Sequence, residues 1–543
     1  MGKTWILMVT CAIMLSGMEA FACTGLLVGK KASVDGSVMI SYAADSHTLY
    51  GELYRWSAAT WPKGAMLDII EWDTHKPLGQ IPQVEQTYSV VGNMNEHQVA
   101  ITESTFGGRP ELVDTTGIMD YGSLIYVTLQ RSKTAREAIR IMTDLVKDYG
   151  YYSSGETFSI ADKNEAWVME MIGKGPGNKG AVWVAIRIPD DCISAHANQS
   201  RIQQIPFDDK ENCIYSPDVV SFAREKGYFS GRDKDFSFQK AYCPYDFSAL
   251  RGCEARVWSF FRKYDKSMDQ YMDLIKGDVM KKPMPLYVKP DRLLSVRDVQ
   301  NGMRDHFEGT DLDMTKDGPY KVPYRWRPMT FEVDGQEYTN ERAIATQQTG
   351  FVIVPQMRNW LPDAVGGILW FGVDDADMAV FTPIYCSVTA SPECYRVGNG
   401  DMMNFSWTSA FWIHNWVANM AYGKYSYMIQ DIRLVQQELE NSYQQTIPAV
   451  DKAASELYAK NPAEAVKFLT WFSSTTADQA TARWKKLGEY LLVKYMDGNV
   501  KKEENGHFKQ NGYGLSEYPD FPGYDEDYYR SIVKSAGDKL KVK

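Results

Sequence analysis

The 543-residue sequence lacks the short motifs of several large enzyme classes. It contains no G-x-S-x-G, no H-E-x-x-H, no P-loop lysine motif and no G-x-G-x-x-G at a strand-to-helix turn. These absences argue against α/β-type serine hydrolases, zinc metalloproteases, P-loop NTPases and dinucleotide-binding enzymes. The seven histidines show no paired ligand spacing, so we expect neither a metal site nor an organic cofactor.

The sequence also lacks a basic block and, after its N-terminal segment, a long apolar run. It has 59 Lys and Arg residues and 69 Asp and Glu residues, which gives a net charge of -10. Nucleic-acid binding depends on neutralising phosphates, so no nucleic-acid partner is expected. No later stretch reaches about 18 uninterrupted apolar residues, so we predict no membrane span. The 44% hydrophobic content is ample for a large buried core.

The N-terminal segment has the three parts of a secretory signal peptide. Lys3 supplies the positive charge, "WILMVTCAIMLSGM" is the apolar stretch, and Ala20-Phe21-Ala22 is an A-x-A cleavage site. We therefore predict a leader over residues 1–22 and an exported, periplasmic or extracellular, chain that begins at Cys23. A lipoprotein that is lipidated on Cys23 is the rival interpretation, although Ala20 and the bulky Phe21 suit that pathway less well. A cysteine that is simply buried at the start of a strand is a third.

Cysteine counting points to the same residue. Loss of the leader removes Cys11 and leaves seven cysteines, an odd number, in an oxidising compartment. Sequence proximity suggests three disulfides and leaves Cys23 unpaired. The three pairs are Cys243 with Cys253, Cys386 with Cys394, and Cys192 with Cys213.

Hydrophobic patterning predicts an α+β domain with a largely antiparallel sheet. Asp35-Gly36 predicts a hairpin turn between strands at 23–29 and 37–42, and a second hairpin is expected from 87–92 and 98–104. Thr134 and Glu137 predict the start of a helix that ends at Gly150. Three further strands are predicted at 157–162, 166–171 and 181–188. A strand pair is predicted within 348–373, and a helical hairpin from about 431 onwards. The predicted organisation is a leader (1–22), a core with inserted helices and loops (23–430) and a C-terminal helical extension packed on the core (431–543).

Cleavage before Cys23 would create a catalytic group. An N-terminal cysteine carries a thiol with a pKa of about 8.5 and an α-amine with a pKa of about 7.7–8.0. A nucleophile needs a nearby base, and here one residue supplies both. The site would be inactive until the leader is removed.

The opening "CTGLLVGKKASVDGSVMISYAADS" resembles that of the N-terminal-nucleophile dipeptidases of the dipeptidase-A type, to which the secernins are related. Further similar blocks follow in the family's order across essentially the whole mature chain. They are "MNEHQVAITEST", "KTAREAI", "SIADKNEAWVMEM", "HANQSRI", "HFEGT" and "GGILWFGVDDAD". The resemblance implies a four-layer αββα sandwich and hydrolysis of dipeptides through an acyl-enzyme on cysteine.

The wider superfamily includes bile-salt hydrolases and penicillin V acylases, and it implies further site residues. Its Arg-Asn-x-Asp stretch corresponds to "YAAD" here. Asp45 matches the acid, which would hold the α-amine. Tyr42 replaces the arginine and Ala43 the asparagine, so the electrostatic role of that arginine is unfilled at this position.

Three more residues are implied by the same resemblance. Asn198 in "HANQS" matches an asparagine that helps to form the oxyanion hole, and Arg256 in "CEARVWSFF" resembles a late arginine near the nucleophile. Glu103 in "ITEST" falls near the other oxyanion position. An ionised carboxylate cannot donate there, so a backbone N–H would serve, or Glu103 would bind the substrate's amine.

The sequence therefore predicts an exported cysteine dipeptidase with dipeptides as its partners. Cys23, Asp45, Asn198 and Arg256 are the candidate catalytic residues, and Glu103 is the candidate substrate-binding residue. An acid would hold the dipeptide's ammonium and an arginine its carboxylate. An amidase on N-acyl substrates and a lipid-anchored peptide-binding protein are the alternatives, and assembly into a homo-oligomer is left open.

Overall fold

Two antiparallel sheets form the centre of the molecule. We describe a computed structural model, and the description covers residues 23–316, 321–322 and 329–542. The first sheet, which we call the Cys23 sheet, has eight strands. In spatial order seven of them are Tyr287–Val288, Ile193–His196, Gly25–Val28, Val38–Ile40, Thr349–Met357, Gly367–Val373 and Thr382–Tyr385, and Tyr42–Asp45 also pairs with Thr349–Met357.

The second sheet, which we call the Glu103 sheet, also has eight strands. In order they are Cys213–Tyr215, Ala181–Ile188, Ala166–Gly173, Gly155–Ala161, Ala100–Gly107, Met94–Asn95, Val90–Val91 and Arg55–Trp56. Four two-stranded pairs lie outside both sheets: Ala59–Thr60 with Gln86–Thr87, Met66–Ile70 with Pro77–Pro82, Thr330–Val333 with Gln336–Thr339, and Glu503–Glu504 with His507–Phe508.

Strand alternation sends side chains into separate cores. In the first strand, Leu27 packs into a core shared with residues of the Glu103 sheet, whereas Leu26 and Val28 join a core built with helices. In the Glu103 sheet, Val168 faces the shared core and Trp167 packs against a third cluster of helical residues. Both sheets are therefore covered on both faces, which explains why the residues of their strands, apart from Tyr287, are buried or half-buried.

Twelve α-helices surround the sheets in the described residues. They are Tyr121–Leu129, Ala135–Tyr149, Val219–Glu225, Phe238–Tyr242, Ala255–Arg262, Met272–Ile275, Val296–Met303, Asp363–Gly366, Ala410–Tyr422, Tyr425–Lys460, Pro462–Lys494 and Glu526–Ala536. The predicted α+β class is confirmed. None of the helices in the described ranges is both long and apolar enough to cross a membrane.

Local sequence signals account for several helix ends. Thr134 caps the second helix by accepting a hydrogen bond from the Glu137 N–H, and Gly150 ends it at φ 79°. Asn461 caps the helix that starts at Pro462, so the two longest helices form the predicted C-terminal hairpin. The first of these two helices runs through residue 430, so the predicted boundary between core and extension falls inside it.

The second predicted hairpin needs a correction. Val90–Val91 does not pair directly with the strand at 98–104, because Met94–Asn95 forms an intervening strand. Gly92 adopts φ 53°, which permits the tight reversal between the first two strands. The Asn95 side chain accepts hydrogen bonds from the N–H groups of His97 and Val99 and so shapes the next turn.

Candidate active site

Cys23 lies just before the strand Gly25–Val28 of the Cys23 sheet and lines a cavity. The next residue, Thr24, is bridged to Ala43 by two backbone hydrogen bonds, which places Cys23 beside the strand Tyr42–Asp45. Cys23 is 5% exposed. The cavity has a volume of about 630 Å³ and is lined by Cys23, Tyr42, Asp45 and Glu103 among others. That volume is suitable for a small organic substrate.

Two side chains contact the thiol directly. The Cys23 Sγ lies 3.5 Å from Glu103 Oε1 and 3.7 Å from the Tyr42 hydroxyl. The Tyr42 hydroxyl also donates a short hydrogen bond to Glu103 Oε1. Burial, followed by the negative charges of Glu103 and Asp45, raises the pKa of the Cys23 thiol well above its ordinary value. The thiol therefore needs a base before it can act as a nucleophile at neutral pH.

A second buried carboxyl, Glu156, lies beside Glu103. Strand register places Glu103 opposite Phe158 and Thr105 opposite Glu156, so the two glutamates are diagonal neighbours on one face of the sheet. The Oε2 atoms of both accept no hydrogen bond from the described residues. Burial raises the pKa of Glu103 to about 7, and burial together with the charge of Glu103 raises the pKa of Glu156. We expect the pair to hold one proton near neutral pH.

Arg256 is hydrogen-bonded to the backbone at Cys23. It lies at the start of the helix Ala255–Arg262, directly after a π-helical segment over Ala249–Glu254. Its Nη1 donates to the Cys23 carbonyl at 2.7 Å and to Thr24 Oγ1 at 2.8 Å. Its Nη2 donates to Asn198 Oδ1 at 2.9 Å. Arg256 therefore links two of the predicted site residues.

Asn198 adopts a left-handed backbone conformation next to the Cys23 strand. Its φ is 55°, a region that asparagine tolerates better than most residues. Its Nδ2 donates to the Thr105 carbonyl at 2.7 Å, and its backbone N–H donates to Ser104 Oγ at 3.3 Å. With Oδ1 held by Arg256, these contacts fix the orientation of the amide.

Asp45 is buried and paired with an arginine that the sequence did not suggest. Arg342 Nη2 donates to Asp45 Oδ2 at 2.5 Å, and Thr349 Oγ1 donates to Asp45 Oδ1 at 2.6 Å. Burial raises the pKa of Asp45, whereas the charge of Arg342 opposes that rise. Arg342 thus brings a guanidinium to the strand where Tyr42 stands in place of the family arginine.

All five predicted site residues lie within one region, in two groups. Cys23, Asp45 and Glu103 line the cavity, whereas Asn198 and Arg256 are not among its lining residues and are linked to Cys23 through the hydrogen bonds of Arg256. No lysine or arginine of the described residues lines the cavity. The arginine that we predicted for the substrate's carboxylate therefore has no candidate among those lining residues.

Sequence reasoning missed Arg342 and Glu156. Arg342 lies in a loop far along the chain from Asp45, and no local pattern marks it. Glu156 carried a weak signal, because it is the one charged residue in the strand Gly155–Ala161, which is buried along its whole length. A buried charge of that kind is unusual unless it is paired or functional.

Gly25, in the sequence "CTG", makes room for a buried histidine. A Cβ at position 25 would lie 2.5 Å from His196 Nε2. The His196 ring cannot swing away easily, because its two nitrogens are hydrogen-bonded to Ser104 Oγ at 2.6 Å and Ser159 Oγ at 2.7 Å. Burial lowers the pKa of His196 to about 3, so it stays neutral and bridges the two sheets.

We expect Gly25→Ala to lower the free energy of unfolding by about 1–3 kcal/mol through overpacking against His196. Urea unfolding followed by tryptophan fluorescence measures this change. Gly512→Ala is the matched control, because a Cβ there would meet no atom within 4 Å. Equal stabilities of the two variants would contradict the packing argument.

The cysteine pairings need a correction. All seven cysteines from Cys23 onwards are free thiols, so the three disulfides predicted from sequence proximity are wrong. The thiols have other neighbours: Cys243 Sγ contacts the Phe106 carbonyl, and Cys386 Sγ contacts the Asp363 carbonyl. No cluster of three or more potential metal ligands occurs in the described part of the chain.

Comparison with known proteins identifies the class. The sequence profile of peptidase family C69 matches residues 22–438, which is most of the chain, and the match begins directly before Cys23. The chain belongs to this peptidase family. The predicted relation to dipeptidases of the dipeptidase-A type is thereby confirmed.

Several bacterial relatives carry dipeptidase names. A probable dipeptidase of Latilactobacillus sakei is 27% identical over 84% of this chain and 92% of that protein. A probable dipeptidase of Salmonella dublin is 26% identical over 69% of this chain and 83% of that protein. Dipeptidase A of Lactobacillus helveticus is 24% identical over 79% of this chain and 86% of that protein.

Proposed function

We propose that the protein is an exported dipeptidase that acts through an acyl-enzyme on Cys23. The observation that carries this proposal is the Cys23 thiol at the wall of a substrate-sized cavity, 3.5 Å from a buried carboxylate, Glu103. Membership of a peptidase family and the dipeptidase names of the relatives support it. Export is proposed from the leader pattern at residues 1–22.

Removal of the leader frees the α-amine of Cys23, which then takes the proton of the thiol. The thiolate attacks the carbonyl carbon of the dipeptide, and a C–S bond forms. The protonated amine gives its proton to the leaving nitrogen as the C–N bond breaks. Water then attacks the thioester, releases the N-terminal amino acid and returns the thiol. Burial of Cys23 makes the built-in base necessary, since it raises the pKa of the thiol.

Arg256 and Asn198 are assigned supporting roles. Arg256 is a positioning residue, because it holds the Cys23 carbonyl and orients Asn198. Asn198 Nδ2 donates one hydrogen to the Thr105 carbonyl, and we assign its second hydrogen, together with a backbone N–H, to the oxyanion, an interaction typically worth about 3 kcal/mol per donor. Asp45, anchored by Arg342 and Thr349, would hold the freed α-amine.

We assign Glu103 to binding the ammonium group of the substrate. The α-nitrogen of a residue lies about 2.5 Å from its own carbonyl carbon, so the ammonium of a bound dipeptide stays close to the attacked atom. Glu103 is within 3.5 Å of the attacking sulfur and forms no ion pair with the described residues. A substrate ammonium would supply the missing positive charge.

The same proposal includes the four-layer arrangement implied by the family. Three buried clusters support it: one between helices and the Glu103 sheet, one between the two sheets, and one between the Cys23 sheet and the remaining helices. The proposed order of the layers is helices, Glu103 sheet, Cys23 sheet and helices.

A substrate panel on the purified, processed protein tests the function. We expect hydrolysis of Ala-Ala and similar free dipeptides, and little hydrolysis of N-acetyl-Ala-Ala, bile-salt conjugates or other N-acyl amino acids, because these lack the ammonium. Amino-acid release measured by chromatography gives the result. Preference for N-acyl substrates would instead favour an amidase, and a lipidated, inactive Cys23 would favour the peptide-binding alternative.

A further inference from the structure

The walls of the cavity carry several carboxyl groups that have no paired cation among the described residues. Asp45 is paired with Arg342, but four other lining carboxylates form no salt bridge with any described residue. They are Glu52, Asp73, Glu103 and Asp401. His75 is the one ionisable base among the described lining residues. A cavity of this charge attracts cations and repels anions.

Aromatic rings lie beside two of these carboxylates. Tyr54 and Trp72 meet edge to face with centroids 4.8 Å apart, and the Trp72 and Tyr126 rings lie 4.6 Å apart. All three line the cavity. Glu52 lines the same cavity two residues before Tyr54, and Trp72 directly precedes Asp73. Aromatic faces with adjacent carboxylates favour a lysine ammonium or an arginine guanidinium.

The aromatic rings and carboxylates described above line the same cavity as Glu103, the residue assigned to the substrate's ammonium. The turn between Met66–Ile70 and Pro77–Pro82 carries Trp72 and Asp73. Asp73 accepts a hydrogen bond from the Tyr121 hydroxyl at 2.8 Å, and its charge contributes to the raised pKa of Glu103. A residue with its α-ammonium at Glu103 can therefore extend its side chain towards this turn.

We infer that the cavity selects dipeptides whose N-terminal residue is lysine or arginine, with the cationic side chain held by Asp73, Glu52 and the rings of Tyr54 and Trp72. This inference rests on the proposed dipeptidase function and adds the substrate class. The carboxylates disfavour an acidic N-terminal residue at the same position.

Three substrates with the same second residue test the selection. Lys-Ala, norleucine-Ala and Glu-Ala have linear side chains that are cationic, neutral and anionic. We expect kcat/KM for Lys-Ala to exceed that for norleucine-Ala by roughly tenfold, since cation–π and carboxylate contacts of this kind contribute about 1–2 kcal/mol. Glu-Ala is expected to be slower than norleucine-Ala. The Lys-Ala to norleucine-Ala ratio should fall as ionic strength increases.

Isosteric variants test which carboxylates select the cationic side chain of the substrate. Asp73→Asn and Glu52→Gln should each lower the ratio of kcat/KM for Lys-Ala to kcat/KM for norleucine-Ala towards one. Effects on general activity or folding cancel in this ratio. Asp68→Asn is the matched control. Asp68 is exposed on the same strand pair and contacts Gln80 outside the cavity, so its ratio should equal that of the parent protein.

The outcomes separate this inference from the proposed function. Cys23-dependent hydrolysis of all three substrates with a ratio of one would overturn the basic preference and leave the dipeptidase function intact. An unchanged ratio in both cavity variants would overturn the assignment of Asp73 and Glu52. Absence of hydrolysis of every free dipeptide would overturn the function itself.

Discussion

Cys23→Ala is expected to lower dipeptide hydrolysis by more than about a thousandfold, because it removes the proposed nucleophile. Cys23→Ser retains a hydroxyl at the same position, but this group is a much poorer nucleophile, so its activity should also fall strongly. Initial rates with Ala-Ala, measured on processed protein of verified mass, give the comparison.

A second buried thiol provides the control for this substitution. Cys192 is 8% exposed, lies outside the cavity and contacts Asp191 rather than any site residue. Cys192→Ala should retain the parent rate. Full activity in Cys23→Ala would eliminate the acyl-enzyme mechanism, and equal losses in both variants would indicate a folding effect.

Glu103→Gln is expected to lower kcat/KM for dipeptides by roughly 10–100-fold. The substitution preserves shape but removes the charge that we propose to pair with the substrate's ammonium, and a hydrogen bond to a charged group contributes about 1.5–3 kcal/mol. The loss should be most visible in the rate at low substrate concentration, where kcat/KM determines the rate. Glu96→Gln is the control, because Glu96 lies in the turn before the same strand and contacts the Ser89 N–H.

The pH profile provides a second readout for Glu103. Burial raises the pKa of this carboxyl to about 7, so its ionised form, which binds an ammonium, predominates above that pH and is lost below it. In the parent protein kcat/KM should therefore rise as pH increases through about 7. In Glu103→Gln this step should be missing, while the step from the α-amine of Cys23, near 7.7–8.0, remains. Parallel profiles for the two proteins would contradict the role of Glu103.

The sequence predicted the local features of this fold well, because short-range signals control them. The turn at Asp35-Gly36, the caps at Thr134 and Asn461 and the break at Gly150 all lie where the sequence indicated. The extra strand at Met94–Asn95 was missed, because it is only two residues long and depends on the turn at Gly92.

The site was only partly predictable, since it is assembled from distant segments. Cys23, Asp45 and Glu103 lie in recognisable blocks, whereas Arg342 reaches Asp45 across almost 300 residues of chain from a loop with no distinctive pattern. Disulfide pairing failed for a related reason. Closeness in sequence does not determine whether two thiols meet in space.

We propose that the active protein begins at Cys23 with both its thiol and its α-amine unmodified. Intact-mass and N-terminal peptide mass spectrometry of the protein recovered after export tests this claim most directly. We predict a chain that starts at Cys23 and carries a free amine and a free thiol. An active protein that starts at any other residue, or that starts at Cys23 with its amine acylated, would contradict the account.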